Sequence, residues 1–308
     1  MSFEIEVDFC PAYELVNSLN AYLSKQDRKS IDLGKRWYDE VSQTLTAEFK
    51  AYLGDLKPDM TKGLEHLIYS CPGKRSEQSF LKWMDDQSFQ NIYDILQPYD
   101  TKILNTLKER IHDWEFVLKE WHKQYFSKID SRILIGLEQK AAQIKNDSKL
   151  YSPEEVFEEV TNGMRQSPND KLKTIRLIPQ YHLSPINRSH YYQNYEEMFV
   201  CFFACDVIPL KAGEPSPRLM RKMRCLSEEM RMKLLYYMSV QERTFNELLN
   251  YSGLAKSTLH HHLVVLRGAG LISLEISEPN NKYFLRADAI HQLTAELGDF
   301  FLLQEASK

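Results

Sequence analysis

The stretch that decides the reading is Cys225–Leu285, CLSEEMRMKLLYYMSVQERTFNELLNYSGLAKSTLHHHLVVLRGAGLISLEISEPNNKYFL. It parses into three short helices and a hairpin. Ser227 is expected to cap a first helix whose apolar face is Met230, Leu234, Leu235 and Met238, and Phe245 to Tyr251 gives a second with Leu248 and Leu249 inward. Ser252-Gly253-Leu254 then reads as a tight turn, because glycine takes up the positive φ that a helix end commonly needs. Lys256 to Arg267 forms the third helix and turns Leu259, Leu263 and Leu266 inward, with His262 beside them. Gly268 and Gly270 end it. The following LISLEISEPNNKYFL sets Ile272, Leu274 and Ile276 against Tyr283 and Leu285 about the turn Pro279-Asn280-Asn281, the pattern of a β-hairpin.

The outward side of the third helix carries the chemistry. Lys256, Ser257, Thr258, His260, His261, Val264 and Arg267 face outward or flank the apolar stripe, and those near the helix start are polar, short and rich in donors. A helix entering the major groove of duplex DNA needs that set: hydroxyls and the helix N-terminus approach phosphates, and longer side chains reach base edges. Val264 can equally pack on the hairpin. Local charge agrees with a phosphate-facing surface, since Lys and Arg outnumber Asp and Glu by five over residues 218–286 but fall short by six over residues 1–217. The three consecutive histidines do not read as a metal site, because neighbouring helical residues point about 100° apart.

At this point the order of helix, helix, outward-facing helix ending in LRGAGLI and hairpin ending in KYFL resembles the ArsR-type winged helix of bacterial regulators, over about Arg218 to the C-terminus. Ser257-Thr258-Leu259-His260-His261-His262-Leu263 and Leu266-Arg267-Gly268-Ala269-Gly270-Leu271-Ile272 carry the likeness. The resemblance implies a sequence-specific regulator of transcription that binds double-stranded DNA as a symmetric homodimer on a partly palindromic operator. Repression relieved by an effector is the implied mode. The implied DNA contacts are Lys256, Ser257, Thr258, His260, His261 and Arg267, with Lys282 on the wing. Two departures bear on readout: His261 stands where the family usually has an arginine that can fork to guanine, and Glu275 and Glu278 flank a wing tip holding only Lys282. The segment RTFNEL replaces the cysteines of the metal-sensing members, so a non-metal effector is expected. These departures motivate a second reading, in which the winged helix contacts protein and has lost DNA binding.

Upstream, Gly213, Pro215, Ser216 and Pro217 mark a linker, giving an expected effector domain over residues 1–212, a linker over 213–217 and a DNA-binding domain over 218–308. The first part reads as mainly helical. Leu15, Leu19, Tyr22 and Leu23 share a face, Leu33, Trp37, Val41, Leu45 and Phe49 recur every fourth residue, and Thr101 to Phe126 forms a long amphipathic stretch that includes Trp114 and Trp121. Ser152-Pro153-Glu154-Glu155 is a helix start. TIRLIP and FVCFFACDV read as buried strands of a small sheet, joined by the loop YHLSPINRSHYYQNY. Aromatic and basic residues on a loop can line a pocket or simply cover a sheet edge; in the first case Trp114, Trp121, Tyr181, His182, Tyr191, Tyr192 and Tyr195 border an effector site. The expected fold class is mainly α, a helical N-terminal domain with a small β-sheet followed by a winged helix-turn-helix.

Composition limits the remaining functions. The chain is 43% hydrophobic and 27% charged, as ordered globular proteins are, and it holds no apolar run long enough to cross a bilayer. The acidic start and five scattered cysteines, an odd number, fit a reducing cytoplasmic setting without disulfides, metal or membrane. Cys201 and Cys205 read as buried apolar residues. No Gly-x-Ser-x-Gly, His-Glu-x-x-His or phosphate-cradling glycine loop occurs, so neither enzyme activity nor a cofactor is expected. The last segment, Asp288 to Leu303, gathers Ala289, Leu293, Leu297, Phe300 and Phe301 on one side, a face expected to be buried either in a dimer or within the subunit.

Overall fold

A computed structural model describes residues 3–302, apart from 26, 58, 100, 168, 193–194, 212 and 278–279. Leu303 and the wing-tip residues Glu278 and Pro279 therefore lie outside the described residues, as do the side chains of Tyr191 and Tyr195. The fold is mainly helical, with strands β1 (Glu4–Val7), β2 (Met164–Gln166), β3 (Thr174–Gln180), β4 (Arg188–Tyr192), β5 (Tyr195–Ala204), β6 (Arg243–Thr244), β7 (Ile272–Ile276) and β8 (Lys282–Leu285). They form two sheets, ordered β1-β3-β5-β4 and β2-β7-β8-β6.

The chain divides into two compact units. One comprises Phe3–Asn146 and Lys171–Val207, the other chiefly Asp147–Asp170 and Ile208–Lys308. This differs from a boundary at 213–217. The segment Asp147–Asp170 joins the C-terminal unit because β2 pairs in parallel with β7 and Leu274 N donates to Gly163 O at 2.9 Å. Ser216 and Pro217 serve a helix start: the Ser216 side chain caps the helix Pro217–Leu226 from an extended backbone, and Pro217 opens it.

The first unit is built around the helix Pro11–Leu23, which is buried along nearly its whole length. Its neighbour Leu107–Gln124 buries Trp114, Val117, Leu118 and Trp121 in the same core. Two stripes that read as single helices are broken. Thr46 leaves the helical region to cap the helix Ala47–Asp55, separating it from Gly34–Thr44, and the long amphipathic stretch is interrupted between Thr101–Leu104 and Leu107–Gln124. In the sheet β1, β3 and β5 run parallel, and β3 is buried on both faces, so TIRLIP carries apolar residues without alternation. The expected loop between β3 and β5 contains β4, an edge strand antiparallel to β5.

In the C-terminal unit three helices, Glu229–Val240, Phe245–Ser252 and Lys256–Gly268, enclose a core that includes Leu234, Leu248, Leu259, Leu263, Leu266 and Ile272. The first is capped by Glu228, whose carboxylate accepts from Met230 N at 3.3 Å and Arg231 N at 2.9 Å, and not by Ser227, which closes the preceding helix. Thr244 and Glu247 form a reciprocal capping box at the start of the second. Gly253 ends it with φ 65°, as the turn requires. The hairpin pairs Ile272 with Leu285 and Leu274 with Tyr283. The terminal helix Ala287–Leu302 packs on Pro217–Leu226, where Glu296 receives the buried Lys222 ammonium at 2.9 Å and Arg218 Nε at 3.2 Å. Its apolar face is covered less than expected, for Ala289 is buried, Leu293, Leu297 and Phe300 are half-buried, and Phe301 is 66% exposed.

Candidate nucleic-acid interface

The exposed end of the helix Lys256–Gly268 follows from its sequence. Leu259, Leu263 and Leu266 are buried, and this stripe fixes the rotation of the helix so that Lys256, Ser257, Thr258, His260 and His261 are all exposed. Ala255 occupies the N-cap with extended backbone and offers no side-chain acceptor. The first backbone N–H groups of this helix are therefore left to an external acceptor, at the positive end of the helix dipole, beside the Lys256 ammonium and two hydroxyls. That combination of donors suits an anion such as a backbone phosphate. His262 takes no part in the exposed set. Burial lowers its pKa, the nearby Glu228 carboxylate partly opposing, and its Nδ1 sits 3.6 Å from Glu228 Oε2.

Two of the seven residues expected at DNA are engaged elsewhere in the unit. Arg267 lies in the last turn, half-buried, with Nη1 3.2 Å from Met164 Sδ of β2. Lys282 reaches across the small sheet to Glu242, Nζ to Oε1 at 2.5 Å. On the wing, Glu275 accepts from Ser167 Oγ at 2.5 Å. A cleft of about 370 Å³ opens between the start of the second helix and the hairpin, lined by Phe245, Asn246, Asn280, Asn281 and Tyr283. Asn246, Asn280 and Asn281 are exposed there, donor-bearing residues that the sequence reading took only as turn and helix formers.

Of the residues expected to border an effector pocket, Trp114, Trp121, His182 and Tyr192 are buried in the core of the other unit and Tyr181 is half-buried. Trp114 and Trp121 are fully buried, their indole N–H groups donating to Met60 O at 2.5 Å and Ser18 Oγ at 2.9 Å. His182 is buried in a relay: Trp37 Nε1 donates to the Tyr125 hydroxyl at 2.9 Å, that hydroxyl lies 2.7 Å from His182 Nε2, and His182 Nδ1 lies 2.6 Å from Glu14 Oε1. Glu14 also accepts from the backbone N–H of Tyr181 and of His182, which holds the start of the aromatic segment against the central helix. Tyr192 is buried and donates to Glu65 at 3.0 Å. A cavity of about 280 Å³ does exist in this unit, but it is lined by the residues around Asn17, Glu65 and His190.

No curated protein matches the chain. The model of the family described as "Bacterial regulatory protein, arsR family" matches residues 228–273. Among solved structures the chain is similar to NolR from Sinorhizobium fredii, at 22% identity over 30% of this chain and 96% of that one, with a TM-score of 0.25. It is similar also to a protein titled "Possible transcriptional regulator for arsenical resistance", at 26% identity over 27% and 85% of the two chains, with a TM-score of 0.24. The homodimeric winged helix-turn-helix DNA-binding domain Mb0332 from Mycobacterium bovis is 18% identical over 28% and 82%, with a TM-score of 0.24. The family match spans the three helices and the first residues of β7, the same segment whose third helix presents the exposed donors. Residues 228–273 thus match the model of the ArsR family of bacterial regulatory proteins, and a β-hairpin follows them, in a chain most of which the family model does not reach.

Proposed function

We propose that the protein is a sequence-specific double-stranded-DNA-binding transcription regulator, a cytoplasmic homodimeric repressor whose affinity for its operator is set by a non-metal effector. The observation that carries the reading is the exposed, side-chain-uncapped start of the helix Lys256–Gly268 within an ArsR-family segment. Lys256 and the first backbone N–H groups hold phosphate, Ser257 and Thr258 add hydroxyl contacts, and His260 and His261 reach base edges. The half-open apolar face of Ala287–Leu302, with Phe301 66% exposed, supports a dimer formed through this helix.

The test starts by sequencing DNA retained by the purified protein, followed by salt-titrated binding to that duplex and to a random one. Lys256→Ala is expected to weaken both complexes alike and to reduce the salt slope by about 1. His260→Ala is expected to cost about 1–3 kcal/mol on the retained sequence and little on the random duplex. Equal losses on both duplexes for His260→Ala would remove it from base readout. One observation favours the second reading, a winged helix used for protein contact: the wing lysine, Lys282, is ion-paired to Glu242. Retention of no duplex DNA at low salt would favour that reading over the first.

A further inference from the structure

Within the first unit, the cavity of about 280 Å³ lies between the central helix and β4 and has the features of a built ligand site. Its apolar lining is Tyr13, Val16, Ile68 and Phe202, all buried. Its polar lining includes Asn17, which is 3% exposed and whose Nδ2 has no hydrogen-bond partner among the described residues. A buried donor left unpaired costs stability, so its place at a cavity wall points to an acceptor supplied from outside.

Glu65, on the same wall, is 8% exposed. Its oxygens accept from Tyr192 OH at 3.0 Å and Gly63 N at 2.9 Å, both neutral donors. The closest cationic candidates are histidines whose own protonation burial disfavours: His66, with Nε2 4.0 Å away, and His190. Neither ring nitrogen of His66 has a hydrogen-bond partner among the described residues, although the ring is 2% exposed. By contrast Asp59, also at the cavity, is already paired with Arg110 at 2.6 Å. Glu65 is therefore the lining carboxylate with no Lys or Arg partner among the described residues. An anion-seeking donor, a cation-seeking carboxylate and an apolar wall occur together in a space just below the roughly 300–1,000 Å³ typical of ligand sites, a size for a small ligand.

We propose that this cavity binds a free α-amino acid, with the ligand's ammonium on the Glu65 carboxylate, its carboxylate at Asn17 Nδ2, and an apolar side chain against Tyr13, Val16, Ile68 and Phe202. The site names an effector for the regulator proposed above, yet ligand binding is read without DNA, so failure of either reading leaves the other measurable.

The experiment is calorimetric titration of the full-length protein with each proteinogenic amino acid, and with ethylamine and propionate as single-charge probes, to about 10 mM, well above ordinary small-molecule dissociation constants. At least one apolar amino acid is expected to bind more tightly than either single-charge probe. Glu65→Gln is expected to weaken it roughly 10- to 100-fold, the range for a lost charge-assisted contact. Because Glu65 is buried, the near-isosteric Asn17→Asp provides an independent arm: it removes the unpaired donor, sets a carboxylate against that of the ligand, and is expected to abolish binding. Binding by no amino acid, equal affinity for ethylamine, or affinity unchanged in both variants would each overturn the proposal.

Discussion

Arg267 and Lys256 sit on one helix, and their positions along it separate their roles. Lys256 occupies the first turn, exposed and beside the open N-terminus. Arg267, in the last turn, is turned toward β2 and Met164. Arg267→Ala is therefore predicted to lower stability by about 1 kcal/mol in urea denaturation while leaving the salt slope of DNA binding unchanged; a slope reduced as in Lys256→Ala would return Arg267 to the phosphate contacts. The inward stripe of this helix was legible from sequence because leucines at helical spacing fix its rotation. What covers its last turn was not legible, since Met164 lies about a hundred residues upstream and nothing local announces the contact. The same limit applies to Trp114 and Trp121. Sequence shows that an aromatic is amphipathic, but whether its N–H meets a pocket or a core carbonyl depends on the partner helix.

At the scale of the element, the start of Lys256–Gly268 serves two demands that can be set against each other. An acidic N-cap would stabilise the helix by satisfying its first N–H groups, but would place a negative charge where phosphate is proposed to lie. Ala255→Asp is thus predicted to raise unfolding stability by about 1 kcal/mol and to weaken DNA binding at least tenfold, measured by denaturant titration and by anisotropy with the retained duplex. A variant that gained on both counts would show that the helix start does not face DNA. Elements with strong periodicity or caps, such as the box at Ser152 and the two strands of the hairpin, were readable in advance. β2 was not, because Met164–Gln166 is three residues with no strand pattern of its own and exists through pairing with β7. Its presence redraws the unit: a fragment of residues 218–308 would leave that edge of β7 unpaired.

For the whole molecule, acid is predicted to destabilise the first unit before ordinary carboxylate protonation begins. His66 is neutral when folded because burial lowers its pKa from 6.5 to about 4, with the Glu65 carboxylate opposing. Between those values the unfolded chain binds more protons than the folded one, so stability falls as pH is lowered through that window, by at most about 1.4 kcal/mol per pH unit. Glu65, held below its ordinary range, adds its own loss only at lower pH. Melting temperature measured from pH 7 to pH 5 should decline, and His66→Phe, which preserves the stack on Tyr99, should flatten that decline; an unchanged slope would contradict the assignment to His66. The central claim remains that the first turns of Lys256–Gly268 lie against a duplex in the intact protein. All five native cysteines are buried, so Ser257→Cys introduces an accessible thiol that an azidophenacyl photocrosslinker can occupy selectively. With the retained duplex bound, irradiation is predicted to join residue 257 covalently to DNA, whereas a saturated protein–DNA complex that yields no crosslink from this position would contradict the account.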